Sequence, residues 1–303
     1  MSTITEDLMH GVGCSEIAVA LGLSHYETPY QLWERKTGKV PPKETTLAMR
    51  LGVPMEPVIK LLYEERTGTK LRRRNAALRH SSLPLIGHLD YTVTGQSRVV
   101  DCKSSFSFGA RERFGDDGTD ELPVEYLCQG QGYLNLTHYE AIDFAALIPG
   151  PDFRVLTVAP GADVQSMILE GVERFWRHVT TDTPPEPITL EDAKRRWRNV
   201  SPEKCVTATP EIESVTRRFI SLGSQIKALE KEKVRLELAI KNALQDAEAL
   251  LAADGSPLLS WKEQTSNRID TTLLKAEQPE TAQLFTVQST TRVLRPAKLK
   301  EAA

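Results

Sequence analysis

Two period-two runs around a glycine turn constrain this chain more than any other feature. From Leu85 onward Gly87, Leu89, Tyr91 and Val93 alternate with His88, Asp90 and Thr92; after Gly95-Gln96 the run Arg98-Val99-Val100-Asp101-Cys102-Lys103 continues in the same style. Such alternation predicts two strands, and a two-residue loop that Gly95 opens with positive φ predicts that they form a hairpin. The register follows by arithmetic: Thr94 pairs with Ser97, Thr92 with Val99, and Asp90 with Asp101. Cross-strand partners have Cβ atoms about 4.5–5.5 Å apart, where like charges destabilise. Lys103, two residues beyond Asp101, projects from the same face. A salt bridge from Lys103 to one aspartate leaves the other unpaired, whereas a divalent cation between the acids accounts for both.

The rest of the chain reads as α/β. Ser15 is expected to cap a short buried helix over Ile17–Leu21, and Thr28-Pro29 opens a second helix that Gly38 stops. A third helical stretch runs from about Thr45 to Thr67 and is interrupted by Pro54 and Pro57, which places Glu56 at or just before the start of its second half, with Val58, Leu61 and Leu62 as the apolar stripe. A helix over Val124–Leu136 sets Gln129 and Tyr133 on one face. Strand-like runs follow at Ala141–Ile148 and Phe153–Ala159, then an amphipathic helix from about Asp163 to Val179. After the stiff segment Thr183–Pro187, the positions Ile212, Val215, Phe219, Leu222, Ile226 and Leu229 recur at three and four residues, with Leu236, Ile240 and Leu244 beyond a phase slip near Val234; they describe a long coiled-coil helix. Asp254-Gly255 marks a small terminal hairpin, and the last residues, from Lys298, are expected to fray. The expected organisation is a core over 1–185, a linker over 186–209 and a helical extension with a β-hairpin over 210–303.

Lys plus Arg number 38 and Asp plus Glu 41, so the net charge of −3 offers no global attraction to a polyanion. Any such partner must be met locally. The runs Lys70-Leu71-Arg72-Arg73-Arg74, on a strand beside the hairpin, and Lys194-Arg195-Arg196-Trp197-Arg198 read either as solvated faces or as phosphate-tracking surfaces. The cysteines at 14, 102, 128 and 205 are too dispersed for a zinc knuckle or a redox pair and are expected to be free thiols. No segment approaches the roughly 20 apolar residues of a membrane span, and the acidic start, with Glu6 and Asp7, is unlike a signal peptide, so a cytoplasmic location is expected.

Together these features give a helix glutamate (Glu56), an aspartate ending a strand-like run (Asp90), Asp-x-Lys on the neighbouring strand (Asp101, Lys103) and Gln-x-x-x-Tyr on a helix (Gln129, Tyr133). Hard oxygen ligands suit Mg²⁺, with Mn²⁺ able to substitute. In phosphodiester hydrolysis, carboxylates hold one or two such ions while a lysine orients or deprotonates the water.

The ordered set resembles the YqaJ-type viral recombinases, phage exonucleases related to the lambda-type alkaline exonuclease within the PD-(D/E)xK nuclease superfamily. The resemblance spans roughly residues 10–180. It rests on Gly13-Cys14-Ser15-Glu16 with Leu21-Gly22-Leu23-Ser24, Thr28-Pro29-Tyr30-Gln31-Leu32-Trp33, Met49-Arg50-Leu51-Gly52 leading to Glu56-Pro57, Gly87-His88-Leu89-Asp90, Val99-Val100-Asp101-Cys102-Lys103, and Tyr126-Leu127-Cys128-Gln129-Gly130-Gln131-Gly132-Tyr133. It implies a restriction-endonuclease-like core, a mixed central sheet flanked by helices. It also implies metal binding by Glu56, Asp90, Asp101 and the Cys102 carbonyl, a catalytic Lys103, and a site lined by Gln129, Gln131 and Tyr133. Ser15 resembles the residue that meets a 5′ phosphate, and Arg72, Arg73 and Arg74 are candidates for tracking DNA. The implied activity is Mg²⁺-dependent 5′-to-3′ degradation of one strand at duplex DNA ends, leaving single strand for recombination through an annealing partner. The implied assembly is a trimer. Two other readings stand beside it: a structure-specific or restriction-type endonuclease on the same core, and a DNA-binding or assembly module without cleavage.

Overall fold

A computed structural model describes residues 10–42, 44–107, 109–150 and 152–297; the expected fraying over 298–303 and the acidic residues 6 and 7 lie outside the described residues. Its contacts divide the chain into one unit ending at Trp197 and another beginning at Arg198.

The first unit runs through β1 (Val12–Gly13), a 3-10 turn (Cys14–Glu16), α1 (Ile17–Ala20), α2 (Pro29–Lys36), α3 (Leu47–Thr67), β2 (Leu71–Arg73), β3 (Leu78–Arg79), β4 (Leu85–Gly87), β5 (Tyr91–Val93), β6 (Arg98–Ser104), α4 (Ala110–Arg113), α5 (Val124–Thr137), β7 (Ala141–Ile148), β8 (Asp152–Val158), α6 (Ala162–Thr180) and α7 (Leu190–Arg196). The main sheet has the order β2-β5-β6-β7-β8, and only β6 and β7 pair in parallel. That parallel pair needs a crossover, and α5 lies within it. A smaller sheet has the order β1-β4-β3.

Alternation along β6 and β7 sorts the core onto two faces. Val99, Ile142 and Phe144 pack with Ile17, Leu32, Leu134, Ile168 and Phe175 from α1, α2, α5 and α6. Val100 and Ala145 face the other way, toward Ile59 and Tyr63 of α3. The result is the expected mixed sheet between helical layers. Gly130 lets α5 come close: a Cβ there would stand 2.9 Å from the Phe144 ring.

The hairpin forms with the expected register, Thr92 opposite Val99, and Gly95 has φ +77°. Its first strand is shorter than expected. The run from Leu85 breaks at residues 88–90, and β4 pairs instead with β1 and β3 in the second sheet. The break frees the Asp90 carboxylate to accept from the Cys102 N–H at 2.8 Å, so a side chain replaces the next rung of the ladder.

Two further expectations are corrected. Ser15 does not cap the first helix; it lies within the 3-10 turn, and the Gly13 N–H is instead satisfied by the buried Glu16 carboxylate at 2.9 Å. Helix α3 runs unbroken through Pro54 and Pro57, so Glu56 sits mid-helix. Prolines break helices by leaving carbonyls one turn back unpaired, and around them this helix is largely exposed, where water can satisfy those groups. Its buried stripe is Ile59 and Tyr63, while Val58 and Leu61 are exposed. The contacts of the first unit also continue beyond residue 185. Thr189 caps α7, and Asp192 of that helix accepts from the Thr28 hydroxyl at 2.9 Å, tying residues expected in a linker onto the start of α2.

The second unit consists of the 35-residue α8 (Pro210–Leu244), the hairpin of β9 (Ala249–Leu251) and β10 (Pro257–Ser260), then α9 (Thr271–Glu277) and α10 (Pro279–Leu284). Thr209 caps α8 with Pro210 in its first turn, and Gly255 turns the hairpin at φ +84°. Among the described residues no helix is long and apolar enough to cross a membrane.

Candidate active site

Strand alternation carries Asp101 and Lys103 onto the face that α5 covers, where they meet Gln129 in a closed triangle. The Lys103 ammonium lies 2.6 Å from Asp101 Oδ1 and donates to Gln129 Oε1 at 3.0 Å, while Gln129 Nε2 donates to Asp101 Oδ2 at 3.1 Å. Asp101 is 2% exposed. Its Oδ1 has the lysine charge close by but receives no aligned hydrogen bond, which leaves a buried carboxylate oxygen with unused acceptor capacity. Gln129 Nε2 also donates to the Tyr133 hydroxyl at 3.0 Å, and that hydroxyl donates to the His88 carbonyl at 2.8 Å. The helix is thereby tied to the β4–β5 break that delivers Asp90.

The charges perturb one another. Burial pushes the Asp90 carboxyl up and the Asp101 charge adds to the effect, to about 7, against the opposing pull of the Cys102 N–H and Lys103. Burial works against the Lys103 ammonium, but Asp101, Tyr126 and Asp90 more than offset it, and the pKa ends above the ordinary lysine value. Lys103 is therefore a cation at neutral pH. Burial and Asp101 hold the Tyr133 phenol far above its usual range, so it stays neutral.

Glu56 approaches from the opposite face of the sheet. Its backbone carbonyl faces the Cys102 thiol at 4.0 Å, and its carboxylate pairs with Arg73 at 3.1 Å. Burial raises the Glu56 pKa, Arg73 opposes that, and Asp101 raises it further, so the two acids sense each other across the strand. Among the described residues no three His, Cys, Asp or Glu side chains are grouped closely enough to hold a metal ion. Asp90 and Asp101 nonetheless fit a hard cation: both offer carboxylate oxygens, one has its charged form disfavoured and the other has an oxygen beside the Lys103 charge with no aligned hydrogen bond.

The remaining sequence candidates divide. Ser15 is exposed on the 3-10 turn, whose Cys14 sulfur packs near Gly132 of α5. Arg72, Arg73 and Arg74 are exposed on and just after the outer strand β2, with Arg73 occupied by Glu56. Gln131 does not join the site. It is buried and accepts from the Gly161 N–H at 2.9 Å while donating to the Ala159 carbonyl at 2.8 Å, which anchors the loop into α6. Tyr133 is buried, with its hydroxyl accepting from Gln129 and donating to the His88 carbonyl. Sequence reasoning gave no role to Tyr126, whose ring lies 4.7 Å beneath the Lys103 ammonium. Its signal was position: Tyr126, Gln129 and Tyr133 recur at three and four residues along α5.

Residues 6–140 match the family model of the YqaJ-like viral recombinase domain. The resemblance carried by the six motifs is borne out over that span. A relative in Bacillus subtilis (strain 168), the uncharacterized protein YqaJ, is 29% identical over 279 residues, covering 89% of this chain and 86% of its own. An alignment of that length exceeds the first unit, so the likeness reaches into the second. Among solved structures, an alkaline exonuclease (LHK-Exo) from Laribacter hongkongensis is 16% identical, covers 63% of this chain and 94% of its own, and has a TM-score of 0.46. A phage-related exonuclease from Haemophilus somnus 129PT is 13% identical, covers 57% of this chain and 96% of its own, and also scores 0.46.

Proposed function

We propose that this protein is a metal-dependent deoxyribonuclease that degrades duplex DNA from its ends, 5′ to 3′, and yields single strand for recombination. The observation that carries this reading is the closed Asp101–Lys103–Gln129 triangle beside Asp90, in which Asp101 Oδ1 is held by the lysine charge alone and keeps a lone pair for a cation. The motif order and the match to a viral recombinase domain support it.

In this reading Asp90 and Asp101, with the Cys102 carbonyl, would hold one or two Mg²⁺ or Mn²⁺ ions, and Glu56 would join them only by giving up its pairing with Arg73. When bound, such an ion neutralises charge on the scissile phosphate and lowers the pKa of a water. Lys103, a cation, draws the phosphate toward the triangle and stabilises charge that develops on it. Gln129 fixes the lysine's direction, and the Tyr126 ring supports the ammonium from below. Arg72 and Arg74 track the phosphates outside the site. Action in the cytoplasm, delivery to an annealing protein and assembly into an oligomer belong to the same reading.

The test is incubation with linear duplex DNA, 5′-phosphorylated or 5′-hydroxyl, and with a covalently closed circle, each with Mg²⁺ or EDTA, beside Lys103→Ala. Metal-dependent loss of linear DNA alone, absent in the variant, is expected. Cleavage of the circle would replace the end-dependent reading with an endonuclease. Binding of DNA without cleavage of any substrate would overturn the nuclease.

A further inference from the structure

Helix α8 exposes one continuous apolar seam. Ile212, Val215, Phe219, Leu222, Ile226 and Leu229 follow one another at three and four residues, and all six remain 39–64% exposed. Only the far end of the helix is covered within its unit, where Leu244 is buried and Lys241 lies over the Trp261 ring at 5.3 Å. The phase slip expected near Val234 does not interrupt the seam: the helix is unbroken, Lys233 holds the next position in phase, and Leu236 and Ile240 follow at three and four residues. A seam about 40 Å along an unbroken helix is the form taken by a coiled-coil strand waiting for a partner.

We propose that α8 pairs with α8 of a second copy of this chain, and that the two run antiparallel. Charge selects the direction. One flank of the seam carries Arg218, Gln225 and Glu232; the other carries Gly223, Glu230 and Glu237. In a parallel, in-register pair each flank meets the opposite flank of its partner, which sets Glu232 against Glu237, and the seam sets Lys233 against Lys233. Both contacts are between like charges, and both occur in the interior or at its border. Running antiparallel about a dyad beside Gln225, each flank meets its own kind. Arg218 then faces Glu232 twice, Gln225 faces itself, Phe219 layers with Leu229 and Leu222 with Ile226. Lys233 faces Val215 near the end of the pair, where its stem can pack and its ammonium reach water. Neither Arg218 nor Glu232 forms an ion pair within its own chain among the described residues.

The experiment uses the full chain. Light scattering should show that Phe219→Glu halves the mass of the wild type, whatever the first unit does by itself. Arg218→Glu and Glu232→Arg should each weaken the pairing by about tenfold, and the two together should restore it. In a Cys205→Ser background, Gln225→Cys should form an intermolecular disulfide under mild oxidation faster than Ile226→Cys. A wild type of one-chain mass, a mass unchanged by Phe219→Glu, or faster cross-linking through Ile226→Cys, as a parallel pair requires, would each overturn the proposal.

Discussion

Lys103 and Asp101 neutralise each other in a place where neither can turn to water freely, so removing one partner has a cost beyond the lost contact. Lys103→Met should destabilise the protein by about 3 kcal/mol, because a buried carboxylate is left uncompensated, and Lys103→Met with Asp101→Asn should recover most of that loss. Thermal melts of the four proteins measure the coupling; simple additivity would show that the pair is not held as described. Asp90 has a different signature. Its proton is bound more tightly in the fold than in the unfolded chain, so its contribution to stability is complete below the ordinary aspartate range and is lost as pH rises toward about 7. With chelator present, the melting temperature of Asp90→Asn should therefore climb relative to wild type between pH 4 and pH 7. A constant difference would remove Asp90 as the titrating group.

At the scale of elements, the face of α5 depends on glycine. Gly130→Ala gains roughly 1 kcal/mol of helix propensity but drives a methyl into the Phe144 ring and Ile142, at a cost of about 1–3 kcal/mol, so denaturant midpoints should show net destabilisation. The elements also show what could be read in the sequence. The hairpin register was legible because Gly95 sets the loop length and alternation does the rest; it located Asp90, Asp101 and Lys103 together before any contact was known. Helices α2, α5, α6 and α8 were legible from caps and apolar spacing. The break at residues 88–90 was not, since alternation persists straight through it and the second sheet is assembled from distant two- and three-residue strands. Nor was the side of the sheet from which Glu56 arrives. Prolines signalled an interruption that solvent makes unnecessary, and Gln131 shares a motif with Gln129 while a step of two along the helix turns it to a different neighbour.

For the molecule as a whole, α7 decides where the first unit can be cut. A chain ending at Trp197 keeps the Thr28–Asp192 hydrogen bond and the Arg195–Glu34 ion pair, whereas one ending at 185 loses both and uncovers the start of α2. The longer fragment should melt cooperatively near the temperature of the intact core, and the shorter one several degrees lower; equal melts would return the boundary to 185. The outer strand β2 carries a consequence of another kind. It forms one rim of the five-stranded sheet, with Lys70, Arg72 and Arg74 along and beside it. An open rim is a template for unwanted strand addition between molecules, and positive charge is a common guard against it. Neutralising those arginines to probe DNA contacts would also lower that guard, and self-aggregation would then imitate lost affinity. Reversal to glutamate separates the two effects, since it repels phosphate while keeping the rim charged.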